Sequence, residues 1–177
     1  SWHEHIFFAH DLVKAMTPQK IVELGVHYGD SYFTFCQSVK ETHLKCQCYG
    51  IDTWQGEEHS GLYGEEVWQN VKKYYDENYS SFSNLIRQTF ESAVCDFEEG
   101  SIDILHIDGL HTYEAVKSDF FSWIPKVSPN GVILLHDIEV YREGFGVWRF
   151  WKELKNQYKH FSFEHGHGLG VIFNQKE

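Results

Sequence analysis

Four short runs in this chain are almost wholly apolar, and each leads to a polar residue or a glycine. They are residues 20–26 (KIVELGV), 46–52 (CQCYGID), 102–108 (IDILHID) and 131–137 (GVILLHD). A strand covered on one face alternates apolar and polar residues; a strand covered on both faces reads as a continuous apolar run. Between the runs, apolar residues recur at helical spacing. Tyr32, Phe35, Cys36 and Val39 form one such face, Tyr113, Val116, Phe120 and Ile124 a second, and Val147, Phe150, Trp151 and Leu154 a third. Weaker signals place a strand at 83–88, a helix at 65–78 and a short helix at 91–97. Trp2, Ile6, Ala9, Val13 and Met16 mark an opening helix within residues 1–18 that caps the core. Residues 161–163 and 169–173 read as a closing hairpin around the turn 164–168. Strand and helix therefore alternate about five times before two strands follow in succession. The expected fold is α/β: one domain over 1–177, with a doubly wound, mostly parallel seven-stranded sheet and a C-terminal antiparallel hairpin strand.

Composition narrows the partners. The formal net charge is −11, which opposes a general nucleic-acid or anionic-membrane surface, since both need basic patches. No apolar run reaches 18 residues and no signal segment opens the chain, so no membrane span is expected. Cys36, Cys46, Cys48 and Cys95 contain no CxxC pair and read as reduced thiols of a cytoplasmic protein. The opening Ser1-Trp2 leaves room for a boundary inside a longer chain.

In a doubly wound sheet, ligands bind beyond the carboxyl ends of the strands. The polar endings of the runs are therefore candidates for one site. After the first run, Gly25 and Gly29 in ELGVHYGDS allow close backbone approach ahead of a helix N-terminus. Their spacing is GxxxG, which departs from the GxGxxG of dinucleotide enzymes. A plain tight turn explains them equally well. Asp52 ends the second run where an acid can accept from ribose hydroxyls, or simply cap a loop.

These stretches together resemble the class I S-adenosylmethionine-dependent methyltransferases. VELGVHYGDS and YGIDTW carry the likeness at the first two strands, and SIDILHIDGLHTYEAVKSDF and SPNGVILLHDI carry it further along. Within that family the chain is similar to the small sugar O-methyltransferase-like group, which includes macrocin and mycinamicin O-methyltransferases and domains attached to glycosyltransferases. The resemblance runs from about residue 21 to 173 and implies a Rossmann-like fold with S-adenosylmethionine as cofactor. It places Glu23, Gly25, Gly29 and Ser31 along the methionine part, Asp52 and Thr53 at the ribose, and Trp54 beside the adenosine. It brings Gln88, Thr89 and Phe90 to the adenine, although the polar pair usual there is absent. Asp108 would line the cofactor and orient the acceptor, and His111 would be the general base.

The tips at 108 and 136–137 suggest chemistry of their own. Asp108, His136 and Asp137 offer two hard oxygens and one imidazole, a donor set that suits Mg2+ held partly by waters and substrate. The related enzymes carry an acid where His136 stands, which shifts the expectation toward Mn2+ or toward no metal. A metal-free cluster of hydrogen-bonded strand ends is the competing reading, as is helix capping for His111. His106 lies inside its strand and reads as packed support. His165 and His167 in the closing turn, and Tyr141, Arg142 and Phe145, are candidates for the acceptor wall. Trp54, His59 and Tyr63 lie on a loop that could close over the site.

The expected activity is methyl transfer to a hydroxyl of a small-molecule or glycan acceptor, in association or fusion with a glycosyltransferase. Two alternatives remain open at this stage. One is a non-catalytic cofactor-binding module; the other is a cephalosporin-hydroxylase-like enzyme on the same scaffold.

Overall fold

A computed structural model of the chain describes residues 2–57 and 61–175. In chain order the strands are β1 (Lys20–Leu24), β2 (Gln47–Asp52), β3 (Gly56–Glu57), β4 (Gly61–Leu62), β5 (Ser83–Arg87), β6 (Ile102–Ile107), β7 (Val127–His136), β8 (His160–Phe163) and β9 (Leu169–Phe173). The helices are α1 (Ile6–Met16), α2 (Asp30–Glu41), α3 (Glu65–Asn78), α4 (Phe90–Ala93), α5 (Tyr113–Trp123) and α6 (Val147–Leu154). Seven strands form one sheet in the order β5-β2-β1-β6-β7-β9-β8. The first five run parallel, and β9 pairs antiparallel with both β7 and β8. The order reverses between β1 and β6, so the crevice beyond their carboxyl ends is the expected ligand position.

The apolar runs behave as their composition requires, because successive side chains point to opposite faces of the sheet. Ile21, Ile104 and Leu134 pack with Ala9, Phe35 and Val71 from α1, α2 and α3. Val22, Leu105 and Leu135 pack with Val116, Phe120 and Phe150 from α5 and α6 on the other face. Two cores thus sandwich one sheet. Thr112 caps α5: its Oγ1 accepts from the Ala115 amide at 3.2 Å. All four cysteines are free, three of them buried.

Three local details differ from the sequence reading. β7 begins at Val127, so Pro129 lies within it, beside a register shift where Ile102 pairs Val127 and Ile104 pairs Val132. A proline is tolerated there because the irregular pairing does not need its missing N–H. The short helix expected at 91–97 divides into α4 and a 3-10 turn, Val94–Asp96. The loop after β2 holds the small antiparallel β3–β4 ladder, too short to leave a periodic signal. His59 lies outside the described residues.

Candidate functional site at the strand tips

One cleft of about 810 Å³ opens along the carboxyl edge of the sheet. Its floor includes Gly25, Asp52, Asp108, His136 and Asp137, which follow or end β1, β2, β6 and β7. Thr89 and Phe90 close it beyond β5, and His167 reaches it from the β8–β9 turn. Backbone strain gathers at this edge. His27, Trp54, Asp137 and His167 all have φ between 50° and 68°, a region that side-chain-bearing residues seldom adopt.

The glycine loop is held from below and from the side. Gly25 adopts φ 93°, and a Cβ there would lie 2.0 Å from the Asp108 carbonyl oxygen, so only glycine lets β1 and β6 tips meet. Asp52 Oδ2 accepts from the Val26 and His27 amides, both at 2.9 Å, while its Oδ1 accepts from the Trp54 amide at 2.7 Å. The β2 acid therefore staples the loop while still lining the cleft. Ser31 and Thr53 line it as well.

Two of the expected cofactor contacts lie elsewhere. Glu23 is fully buried beneath the loop and does not line the cleft. Its Oε1 accepts from Ser31 Oγ at 2.7 Å, and its Oε2 lies 2.9 Å from His106 Nδ1. Trp2 Nε1, which can only donate, reaches His106 Nε2 at 3.2 Å. That contact makes Nε2 the acceptor and puts the imidazole proton on Nδ1, donated to Glu23. Burial pushes the Glu23 carboxyl up, against the pull of His106. Trp54 is also buried: it turns away from the cleft, packs against Trp68 at 4.5 Å and donates from Nε1 to the His27 carbonyl. Both residues shape the loop from behind: Glu23 faces Ser31 of α2 from within β1, and Trp54 turns just past β2 onto Trp68 of α3.

The chemical end of the cleft is denser in charge. His111 Nε2 lies 2.8 Å from Asp137 Oδ2 and 3.5 Å from Asp108 Oδ1. Its ring stacks on Phe145 at 4.9 Å, and its carbonyl accepts from the Gly146 amide. Burial alone would lower the imidazole pKa, but the two carboxylates outweigh it and raise it to about 10. Asp108 is half-buried, which would raise its pKa, but the charge of His136 and the hydrogen bonds of His111 and His136 overcome this and hold its carboxyl well below the usual range.

His136 Nδ1 lies 3.5 Å from Asp108 Oδ1 and 3.4 Å from Asp137 Oδ1, and its Nε2 donates to the Gly166 carbonyl at 3.0 Å. Asp108 and its neighbours raise its pKa against burial. Among the described residues, Asp108, His111 and Asp137 group within ligand distance, their donor atoms within 4.8 Å of one another. The expected set had His136 in place of His111, and His136 Nδ1 does face both carboxylates at 3.5 and 3.4 Å.

Among the acceptor-wall candidates, His167 lines the cleft and places Nδ1 3.2 Å from Asp137 Oδ1. His165 instead stacks on buried His5 at 5.1 Å. Tyr141 and Arg142 are exposed outside the cleft. Tyr63 lines the cleft beside His27, whereas Trp54 does not. Trp2 and Asp119 are among the cleft residues that carry no clear signal in the sequence. Trp2 reads as one more apolar position of the opening helix, and Asp119 as a polar residue among apolar ones.

Comparison with known proteins agrees with this fold. The chain is 49% identical over its whole length to an uncharacterized protein, y4gI, of Sinorhizobium fredii, and spans 19% of that relative. The fold is similar to the SAH-bound methyltransferase PaMTH1 of Podospora anserina, with a TM-score of 0.74 at 13% identity over 98% of this chain and 78% of that one. It is also similar to the O-methyltransferase TomG of Streptomyces achromogenes in complex with SAM, with a TM-score of 0.73 at 12% identity over 97% and 80%. A methyltransferase from Geobacter sulfurreducens gives 0.70 at 13% identity over 98% and 79%. The family description "Methyltransferase domain" matches residues 22–138, which span the glycine loop, Asp52, Asp108, His111 and the β7 tip, and the chain belongs to that family of methyltransferase domains.

Proposed function

We propose that this domain transfers the methyl group of S-adenosylmethionine to a hydroxyl oxygen, and that the acceptor is a sugar or a glycosylated metabolite. The observation that carries the reading is the convergence of Asp108, His111 and Asp137 on one cleft with the Gly25–Gly29 loop and Asp52. The sugar class, and work beside a glycosyltransferase, rest on the sequence resemblance.

The acceptor oxygen forms a bond to the methyl carbon as the carbon–sulfur bond breaks, and the hydroxyl proton must leave. His111 is the proposed base. In the free site Asp108 and Asp137 keep its proton on, so those carboxylates must first be engaged by something else. The carboxylates of Asp108 and Asp137 would hold Mg2+ or Mn2+, with waters and the acceptor completing the shell, which leaves the His111 imidazole for the proton. Such an ion would polarise the acceptor hydroxyl. With their charge compensated, the carboxylates hold the His111 proton less strongly, and its pKa falls toward the range a base needs. Phe145 fixes the ring plane meanwhile.

Transfer of a labelled methyl group to a panel of nucleotide sugars and glycosides tests the reading. Label recovered on oxygen, and lost in excess chelator, is the expected result. Full activity in chelator removes the ion from the mechanism. Failure of the folded protein to bind S-adenosylhomocysteine in calorimetry overturns the whole reading.

A further inference from the structure

The cleft has a long axis. Its contributing strands lie side by side as β5, β2, β1, β6 and β7. From the β5 tip to the β7 tip is four strand spacings, roughly 19 Å at about 4.8 Å each. The ionisable cluster occupies the β6–β7 end. Beyond the β5 tip Phe90 and Glu91 line the cleft, and Leu110 and Ala115 add apolar surface to it. Helix α5 walls this part with one face. Ala115, Ser118, Asp119 and Ser122 line the cleft at the i, i+3, i+4, i+7 spacing that shares a helix side.

Asp119 is the one acid on that wall. No charged or hydrogen-bonding partner reaches its carboxyl among the described residues, although Asp108, Asp137 and Asp52 all have partners. It belongs to the middle of α5, away from the helix N-terminus that would favour a negative charge. Its Oδ2 lies 3.6 Å from the point where a Cβ on Gly109 would stand, and the Phe90 ring lies 2.5 Å from the same point. The carboxyl and the ring thus meet over Gly109. A side chain there would fill the slot between them, and glycine keeps it open. An unpartnered carboxyl beside an apolar slot costs stability. Such a group is accounted for when a ligand supplies the missing hydrogen bonds. Burial alone raises its pKa to about 7, so near neutrality it can present either an acceptor pair or one donor and one acceptor.

We propose that Asp119 reads the Watson–Crick edge of the cofactor's adenine, accepting from the exocyclic amino group while Phe90 and Leu110 cover the faces of the base. This rests on the S-adenosylmethionine reading above and deepens it. It also answers the unusual Gln88-Thr89-Phe90 stretch: the polar group that recognises the base comes from α5, and the residues after β5 contribute an apolar face. In its ionised form, favoured above about pH 7, the carboxyl accepts from N6–H and discriminates against a base carrying a carbonyl oxygen at that position, because two acceptors would then face each other.

The test is calorimetric titration of S-adenosylhomocysteine and S-inosylhomocysteine into the wild type, Asp119→Ala and Asp119→Asn, with adenosine and inosine in parallel. Circular dichroism checks that each variant is folded. Wild type is expected to prefer the adenine compound by tenfold or more. In Asp119→Ala that preference collapses to within about threefold. In Asp119→Asn the preference also falls, because the amide can turn to accept from the adenine amino group or to donate to a hypoxanthine oxygen, while affinity for S-adenosylhomocysteine stays within about threefold of wild type. A wild type that binds S-adenosylhomocysteine, with an alanine variant that keeps the full preference, overturns the role of Asp119 alone. A wild type that binds neither compound overturns the cofactor reading and this inference together. An asparagine variant that loses S-adenosylhomocysteine affinity as far as the alanine variant does sinks the hydrogen-bonding account.

Discussion

Histidines 106 and 111 stand close in the chain, and each is paired with carboxylate, yet they sit in opposite circumstances. His106 and Glu23 are both fully buried. Every polar atom of that pair has a partner, in a line from Trp2 through His106 and Glu23 to Ser31. His111 sits between Asp108 and Asp137 at the cleft surface, and the side chains of His111 and Asp108 remain 16% and 20% accessible. The first group is closed and satisfied; the second leaves carboxylate lone pairs facing a cavity. The same residue types thus serve as a brace in one place and as reactive equipment in the other. What separates them is access and unfinished bonding, not identity.

The largest expected effect breaks the comparison on the reactive side. His111→Gln should lower kcat by on the order of 10²–10⁴, with S-adenosylhomocysteine affinity changed less than about threefold. Steady-state kinetics together with calorimetry measures both. An unchanged kcat removes His111 from the chemistry.

On the bracing side the effect is structural. Glu23→Ala leaves His106 and Ser31 buried without their acceptor, and should cost about 3 kcal/mol of stability. Urea denaturation reads the loss as a lower midpoint. A midpoint unmoved by this change would show that the buried pair is not the brace described.

A pH series sharpens the contrast. The folded pKa of His111 is raised to about 10, above an unfolded value of about 6.5. Its contribution is therefore complete below about pH 6.5 and is lost as pH rises toward 10. The stability gap between wild type and His111→Gln should narrow across that window. Asp108, held low, contributes in the opposite sense, and its share is lost as pH falls through its folded value. A gap that widens from pH 6.5 to 10 would contradict the ion pairing of His111.

The smallest effect concerns what positions His111. Thr112→Ala removes the α5 cap and should cost about 1 kcal/mol. Because Phe145 also fixes the ring, kcat should change by less than about threefold. A larger loss of kcat would assign the positioning to the helix start.

Much of this was legible in the residues. The continuous apolar runs required strands covered on both faces, and their polar ends marked the ligand edge. Gly25, Asp52, Asp108, His111, His136 and Asp137 all line the cleft. The misplacements are instructive. Glu23 and Trp54 belong to the motifs that carry the resemblance, but a motif fixes a position along the chain and not the direction of a side chain. The pleat at Glu23 points toward Ser31 of α2 and the turn at Trp54 points toward Trp68.

The sequence by itself determined the class of fold, the edge on which the site lies and the residue types gathered there. Those follow from periodicity and from the rule that parallel strands expose only their ends. The tertiary structure alone decided which imidazole meets which carboxylate. His136 donates to Gly166 of a distant turn, Trp2 reaches His106 from the first helical turn, and Asp119 enters the cleft from the middle of a helix. Each depends on contacts between segments far apart in the chain, which no local spacing encodes.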